Sequence, residues 1–313
     1  MSEQATPARG MRAPVLSTPR LRRPSMSRER LVGLAAVSPS VVLLFLWMAV
    51  PLGMTIYFSL QRYLLLQPGS RAFIGLENYA YFLQDPAFFT ALANTLVLVG
   101  SVLAITVIGG IGIALLLNQP FFGQGVARIL AISPFFVMPT VSALIWKNLL
   151  MDPTSGFFSW ALTSVGLEPV VWFSDWPLLS VILVVAWRWL PFAVLILLTA
   201  LQSLDEEQRE AAEMDGAGPL PYFFYIVLPH LARAITVVIL IQTIFLLVVF
   251  AEIFVTTTGG PGLQTTNIAF LVYSRALLEF DVGGASAGGV VAVILANIVA
   301  IFLVRLIGRN LES

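Results

Sequence analysis

The 313-residue sequence has no cysteine and a single histidine, His230. Disulfides, thiolate metal sites, multi-histidine metal centres and Cys/His or Ser/His catalysis are thereby excluded or nearly so. The only lysine, Lys147, is followed by Asn148, so a GxxxxGK[ST] phosphate loop cannot be formed. Charge is scarce as well. Only 11% of residues are charged, and Lys+Arg and Asp+Glu both total 17, which leaves no basic field for nucleic acid. No repeat has a solenoid period, and no connecting segment is long enough for a soluble domain. What is abundant is apolar surface: 58% of residues are hydrophobic, a membrane composition.

Residues 1–30 are polar and rich in Pro, Ser and Arg, and read as a disordered basic tail. The apolar run that follows extends to about residue 60 with no A-x-A-like site, too long for a signal-peptide core. Long apolar stretches recur at 31–60, 94–117, 128–150, 178–201, 234–256 and 284–307, each long enough to cross ~30 Å of hydrocarbon as a helix. The expected fold is all-α, a polytopic membrane protein with six transmembrane helices over residues 31–313. Several spans contain proline (Pro39, Pro51, Pro134, Pro139, Pro191), so kinks are expected. Twelve of the basic residues fall in the tail, after the even-numbered spans and at the C-terminal end, against four (Arg62, Arg71, Lys147, Arg275) on the opposite side. The positive-inside rule then places both termini in the cytoplasm. Residues 152–177 read as a short helix along the outer surface, and Trp and Tyr of the outer segments such as Tyr57, Tyr79 and Trp176 as interfacial anchors.

The segment between the fourth and fifth spans, 203–230, breaks the basic pattern of its side. Six acidic residues, Asp205, Glu206, Glu207, Glu210, Glu213 and Asp215, fall within 11 positions. Ser203 and Glu206 have capping-box spacing, and carboxylates in the first turn favour the positive helix end. A short helix should start there and stop at Gly216, a left-handed cap, with Pro219 and Pro221 beyond it. Leu204, Gln208, Ala211, Ala212 and Asp215 share one face, and the paired alanines make it closely approachable. His230 reads as a packed or interfacial histidine.

Glu210-Ala211-Ala212-x-x-Asp215-Gly216-Ala217, followed by Phe223, Ile226, Leu228 and Pro229, resembles the EAA loop of ABC-importer permeases. Phe73-x-Gly75-Leu76-Glu77-Asn78-Tyr79, Asn94-Thr95-Leu96, Trp187-x-x-x-Pro191-Phe192 and Thr258-Gly259-Gly260-Pro261 narrow the resemblance to the binding-protein-dependent carbohydrate-uptake family of the maltose type. The large inserted outer domain of some members is missing. The resemblance implies a helix-turn-helix coupling loop in which Glu210, Ala211, Ala212, Asp215, Gly216 and Ala217 dock an ATPase subunit. It also implies a bacterial inner-membrane complex with a second permease subunit, an ATPase dimer and an extracytoplasmic solute-binding protein. ATP and magnesium are then expected on the partner ATPase, with no cofactor and no chemistry in this chain, and a carbohydrate or polyol as the solute.

A charge inside a span is expensive and usually faces a cavity or a bundle interior. Arg188 falls ~15 Å into the fourth span, with Phe192 on the same face, while Gln242 and Phe245 come at a similar depth on the fifth span. These residues, together with Glu252 nearer the outer end of the fifth span, are candidates for the solute path. Arg188 also has a purely structural reading, pairing with a carbonyl or with Glu252, and Glu252 could serve as that pair, a gate residue or a helix-terminal charge. Gly109, Gly110, Gly112, Gly284, Gly288 and Gly289 are expected to serve close packing between subunits. An ion-coupled secondary transporter needs midplane carboxylates that the spans lack, and a membrane enzyme needs a polar catalytic cluster that is equally missing.

Overall fold

A computed structural model of the protein describes residues 28–311 apart from Pro68 and Ser70. The expected tail lies outside the described residues as far as position 27. The chain divides into two compact units, Met1–Leu52 and Gly53–Ser313. In the first, residues 28–52 form the beginning of α1 (Arg28–Ser59), an apolar helix containing Pro39 and Pro51.

The second unit begins with the end of α1 and a two-residue antiparallel pair, β1 (Gln61–Arg62) with β2 (Ala72–Phe73), in which Gln61 opposes Phe73. Then follow α2 (Glu77–Gln84), α3 (Pro86–Asn118), α4 (Gln124–Ile132) with a 3-10 turn (Ser133–Phe136), and α5 (Pro139–Leu144) continuing as a π-helical turn (Ile145–Leu150). Two short helices, α6 (Phe157–Ser164) and α7 (Trp172–Asp175), precede α8 (Pro177–Leu201) and α9 (Glu206–Met214). α10 (Pro219–Tyr222) runs through a π turn (Phe223–Val227) into α11 (Leu228–Leu246). After α12 (Ala251–Thr256) come α13 (Ile268–Tyr273), with its own π turn (Ser274–Leu278), and α14 (Val282–Leu311).

Among the described residues, α1, α3, α8, the α10–α11 run and α14 are each long and apolar enough to cross a membrane, and α4 with its 3-10 turn and α5 with its π turn pass the same test only as a bent pair, which makes five crossings, or six if that pair is one span. The fold is the expected all-α one, with two corrections to the spans. The third, expected as one kinked helix over 128–150, is instead bent by 102° between Phe136 and Pro139. Val137 and Met138 are extended there, because the Pro139 ring disfavours helical backbone at the residue before it. The fifth, expected over 234–256, begins at Pro219 and leaves the helix at residues 247–250 before α12.

The fourth span is the centre of the bundle: 61% of the apolar window of α8 is buried, against 28% or less in the other straight spans. In lipid, helices gain little from apolar burial against one another, so close approach and fitted packing hold them. Gly110 shows this, since a Cβ there would come 3.0 Å from the Ala193 Cβ on α8. Gly288 of α14 lies against the buried ring of Phe82 on α2, where a Cβ would approach to 2.5 Å. The glycines at 109, 110 and 288 therefore serve packing within the chain, not between subunits; Gly112 has open space beside it.

The motif strings singled out in the sequence are joints. Gly75 adopts φ +60°, Asn78 donates its amide to the carbonyls of Ser59 and Gln61, and the Tyr79 and Ser59 hydroxyls meet at 2.6 Å. Asn94 on α3 donates to the carbonyls of Leu263 and Thr266, and the Thr95 hydroxyl accepts the N–H of Ile268. These bonds fasten α3 to the turn containing Gly259, whose φ of +81° and contact with Phe270 leave no room for a side chain. Arg275 pairs with Asp85, the N-cap of α3, and lies over the Tyr81 ring.

Candidate functional site

Two places in the bundle concentrate the polar residues that the sequence singled out. The first is the turn that leaves α8. α9 begins after Asp205, stops at Met214, and is closed by Gly216 at φ +76° with the Ala217 N–H donating to the Ala212 carbonyl. The left-handed glycine cap is therefore as expected. The capping box is not: the Ser203 hydroxyl donates to Ala200 at the end of α8, and Asp205 takes the N-cap position without a side-chain cap bond. His230 also reaches the Ala200 carbonyl, at 2.9 Å, so the histidine ties the start of α11 to the end of α8.

On α9 only Ala212 is buried, while Glu210, Ala211, Asp215 and Gly216 are exposed and Ala217 is half-buried. Arg209 donates to Glu213 one turn on, at 3.0 Å, and that carboxylate raises the guanidinium further above its ordinary value. Beneath the helix a cavity of about 910 Å³ opens toward the ends of α3 and α8, with Leu204, Ala212 and Tyr222 in its wall. α9 is thus a polar helix perched on small apolar contacts, with Glu210 and Asp215 exposed while Arg209 and Glu213 border the cavity beneath it.

The second place is a cavity of about 520 Å³ in the middle of the chain, where the third and fifth spans both break. Phe135 and Pro139 come from one break, Val248 and Phe250 from the other, and Arg188 and Phe192 from the unbroken α8 between them. Four of the five candidates for the solute path, Arg188, Phe192, Phe245 and Glu252, line this space. The fifth, Gln242, does not. It is fully buried, accepts from the Thr106 hydroxyl at 2.7 Å and donates to the Trp189 carbonyl at 3.1 Å, which makes it a tie between α3, α8 and α11.

Arg188 and Glu252 pair directly. The guanidinium Nε lies 3.0 Å and a terminal nitrogen 2.9 Å from the same carboxylate oxygen, with Glu252 2% exposed and Arg188 14%. Of the roles open to Glu252 on sequence grounds, the ion pair is formed, and the carboxylate also stands in the first turn of α12 as a helix-terminal charge. The rings form the rest of the wall. Phe135 stacks on Phe192 at 5.8 Å, Trp189 stands edge-on to Phe192 at 5.9 Å, and Phe245, half-exposed, leans on Trp189 at 5.3 Å. Phe192 and Phe245 are accordingly both packing residues and lining residues. Trp189 was missed at the sequence level although it adjoins Arg188, and Phe135 and Phe250 were missed because only the two helix breaks turn them inward.

α12 is held at both of its ends. Besides the Arg188–Glu252 pair, the single lysine, Lys147 in the π turn after α5, donates to the Val255 carbonyl at 3.1 Å. Asn267, the N-cap of α13, donates its amide to the Val249 carbonyl in the break and accepts from the Phe270 N–H, so that carbonyl of the unwound stretch is met from the start of α13.

Residues 88–313 match the model of the family described as the binding-protein-dependent transport system inner membrane component. The chain belongs to this permease family. It is 39% identical over 251 residues to a probable ABC transporter permease, y4oQ, of Sinorhizobium fredii, covering 80% of this chain and 81% of the relative. It is 30% identical over 281 residues to SmoG, the sulfoquinovosyl glycerol transport system permease of Agrobacterium fabrum, covering 89% and 91%. A third relative, the trehalose/maltose transport system permease MalF of Thermococcus litoralis, is 30% identical over 280 residues, covering 88% and 92%. The fold is shared with a chain in the crystal structure of a bacterial alginate ABC transporter bound to an alginate pentasaccharide-bound periplasmic protein. That likeness has a TM-score of 0.75 at 20% identity and covers 89% of this permease and 94% of the other chain.

Proposed function

We propose that this permease subunit forms the membrane path of an ATP-driven importer for a carbohydrate or polyol, and that its α9–Gly216–α10 element is the plug for a separate ATPase subunit. One observation carries the reading. A helix bearing Glu210, Ala211 and Asp215 on its exposed surface projects from an otherwise apolar bundle and ends in a glycine turn that has open space around it. Small residues allow close approach, carboxylates can pair with basic groups of a partner, and the left-handed glycine sets the bend. In this reading Glu210, Ala211, Ala212, Asp215, Gly216 and Ala217 form the docking element. The α9 end and both termini face the cytoplasm, in keeping with the arginine distribution.

The remaining parts of the assembly are a second permease subunit, an ATPase dimer that holds ATP and magnesium, and an extracytoplasmic binding protein that delivers the solute. This chain supplies alternating access and no chemistry of its own. The family membership and the carbohydrate-linked names of the relatives support it, as does the aromatic cavity at the helix breaks. An ion-coupled transporter is disfavoured, because the one carboxylate lining the cavity, Glu252, is already engaged by Arg188.

The test is co-purification. Gly216→Pro forces φ from +76° toward −65°, and Glu210→Lys reverses a surface charge. Both variants are expected to insert normally into the membrane, to lose the ATPase subunit on purification by at least ~10-fold and to lose uptake. Unchanged complex assembly and uptake in both would reject the docking assignment.

A further inference from the structure

We infer that the solute accepted by the cavity at the helix breaks is a carbohydrate without net charge, and that the Arg188–Glu252 pair is the element that excludes anionic ones. The inference rests on the reading of that cavity as the solute path and adds the charge class of what passes. Among the residues that line the space, only Arg188 and Glu252 are ionisable, and they neutralise one another at 2.9 Å. Everything else is aliphatic or aromatic.

The arrangement favours a neutral polyhydroxyl compound on two counts. A guanidinium has five N–H donors in a fixed fork, and Glu252 engages only the Nε and one terminal nitrogen through a single oxygen, so donors remain for hydroxyls. The faces of Phe192, Phe245 and Trp189 offer apolar surface to the C–H groups of a sugar ring or polyol chain.

An anion meets the opposite situation. To reach Arg188 it must either come within a few ångströms of the buried Glu252 carboxylate or displace it. The first places two like charges together away from water, and the second strands a carboxylate that is 2% exposed. Either route disfavours an acidic sugar by ~10-fold or more relative to its neutral counterpart. Removing the carboxylate while keeping its size removes the barrier and leaves an unneutralised guanidinium, which favours anions.

The experiment uses the permease assembled with its partner permease and ATPase subunits. Binding of three size-matched pairs at millimolar concentration is read by saturation-transfer NMR: sorbitol and gluconate, glucose and glucuronate, maltose and maltobionate. The wild-type complex is expected to bind at least one neutral member ~10-fold more strongly than its acidic counterpart. Glu252→Gln is expected to bring the two within about twofold or to invert the preference. The double variant Arg188→Gln with Glu252→Gln, which has no charge left to strand, is expected to lose the part of the preference that the carboxylate supplies, so its neutral-to-acidic ratio falls below that of the wild type.

Equal binding of an acidic and a neutral member by the wild type overturns the proposal, as does an unchanged ratio in Glu252→Gln. Failure of all six compounds to bind the fully assembled complex overturns it too, by removing the cavity as a carbohydrate site. The docking role of α9 is read separately by co-purification and survives that result.

Discussion

Gln242 shows how one side chain can carry two opposite readings. A polar residue at mid-span depth next to a phenylalanine suggests a solute ligand, yet its amide is consumed by Thr106 and by the Trp189 carbonyl, with no surface left over. Gln242→Leu keeps the volume and deletes both bonds. Hydrogen bonds between helices in lipid are worth about 0.6 kcal/mol on average and up to ~1.7, so the loss should fall in that range for each bond. The complex in detergent should therefore unfold a few degrees lower while retaining solute binding; a variant with normal thermal stability and abolished binding would return Gln242 to the solute path. Arg188 makes the complementary case. Its depth was legible from position alone, and its partner was one of the alternatives the sequence offered, but the choice among them needed α12 to be folded against α8.

The elements that the sequence described well are those whose signal is local. Apolar length located the five long spans and the bent pair, and Gly216 with the two prolines after it located the end of α9. The elements it described poorly are those set by distant partners. The bend in the third span has Pro134 and Pro139 as its mark, but the break at 247–250 contains neither proline nor glycine. Its visible partner is Asn267, 18 residues away, which donates to the Val249 carbonyl. The capping box failed for the same kind of reason, since Ser203 found a better acceptor at the end of α8. The glycines of α14 are legible as close contacts but not as to what they touch. Gly288→Leu should drive a side chain into Phe82 and its neighbours Phe88 and Ile268, at a cost of about 1–3 kcal/mol or more. Lower yield of folded monomer in detergent, with Gly112→Leu unaffected, is the expected outcome. Equal tolerance of both substitutions would mean that the α2–α14 contact is not tight.

At the scale of the whole molecule, the orientation assigned from arginine counts can be measured directly, because the chain has no cysteine to remove first. Single cysteines at Ala211 on α9 and at Trp160 on α6, both exposed, mark opposite ends of the bundle. A membrane-impermeant maleimide added to intact cells should label Trp160→Cys and leave Ala211→Cys unlabelled until the membrane is opened. The reverse pattern would invert the topology and with it the assignment of α9 as an ATPase plug.

The unwound stretch between α11 and α12 has a mechanical consequence. A straight rod tilted at one end must swing its other end, and bending it instead means breaking its internal bonds. Here the rod is already jointed: α11 can pivot about residues 247–250 while α12 stays pinned by Lys147 and Arg188, and the joint's carbonyl stays satisfied from α13. On the proposed docking of an ATPase subunit at α9, work delivered there can be spent on reshaping the aromatic pocket at the elbow, through a stretch that already lies outside the helix.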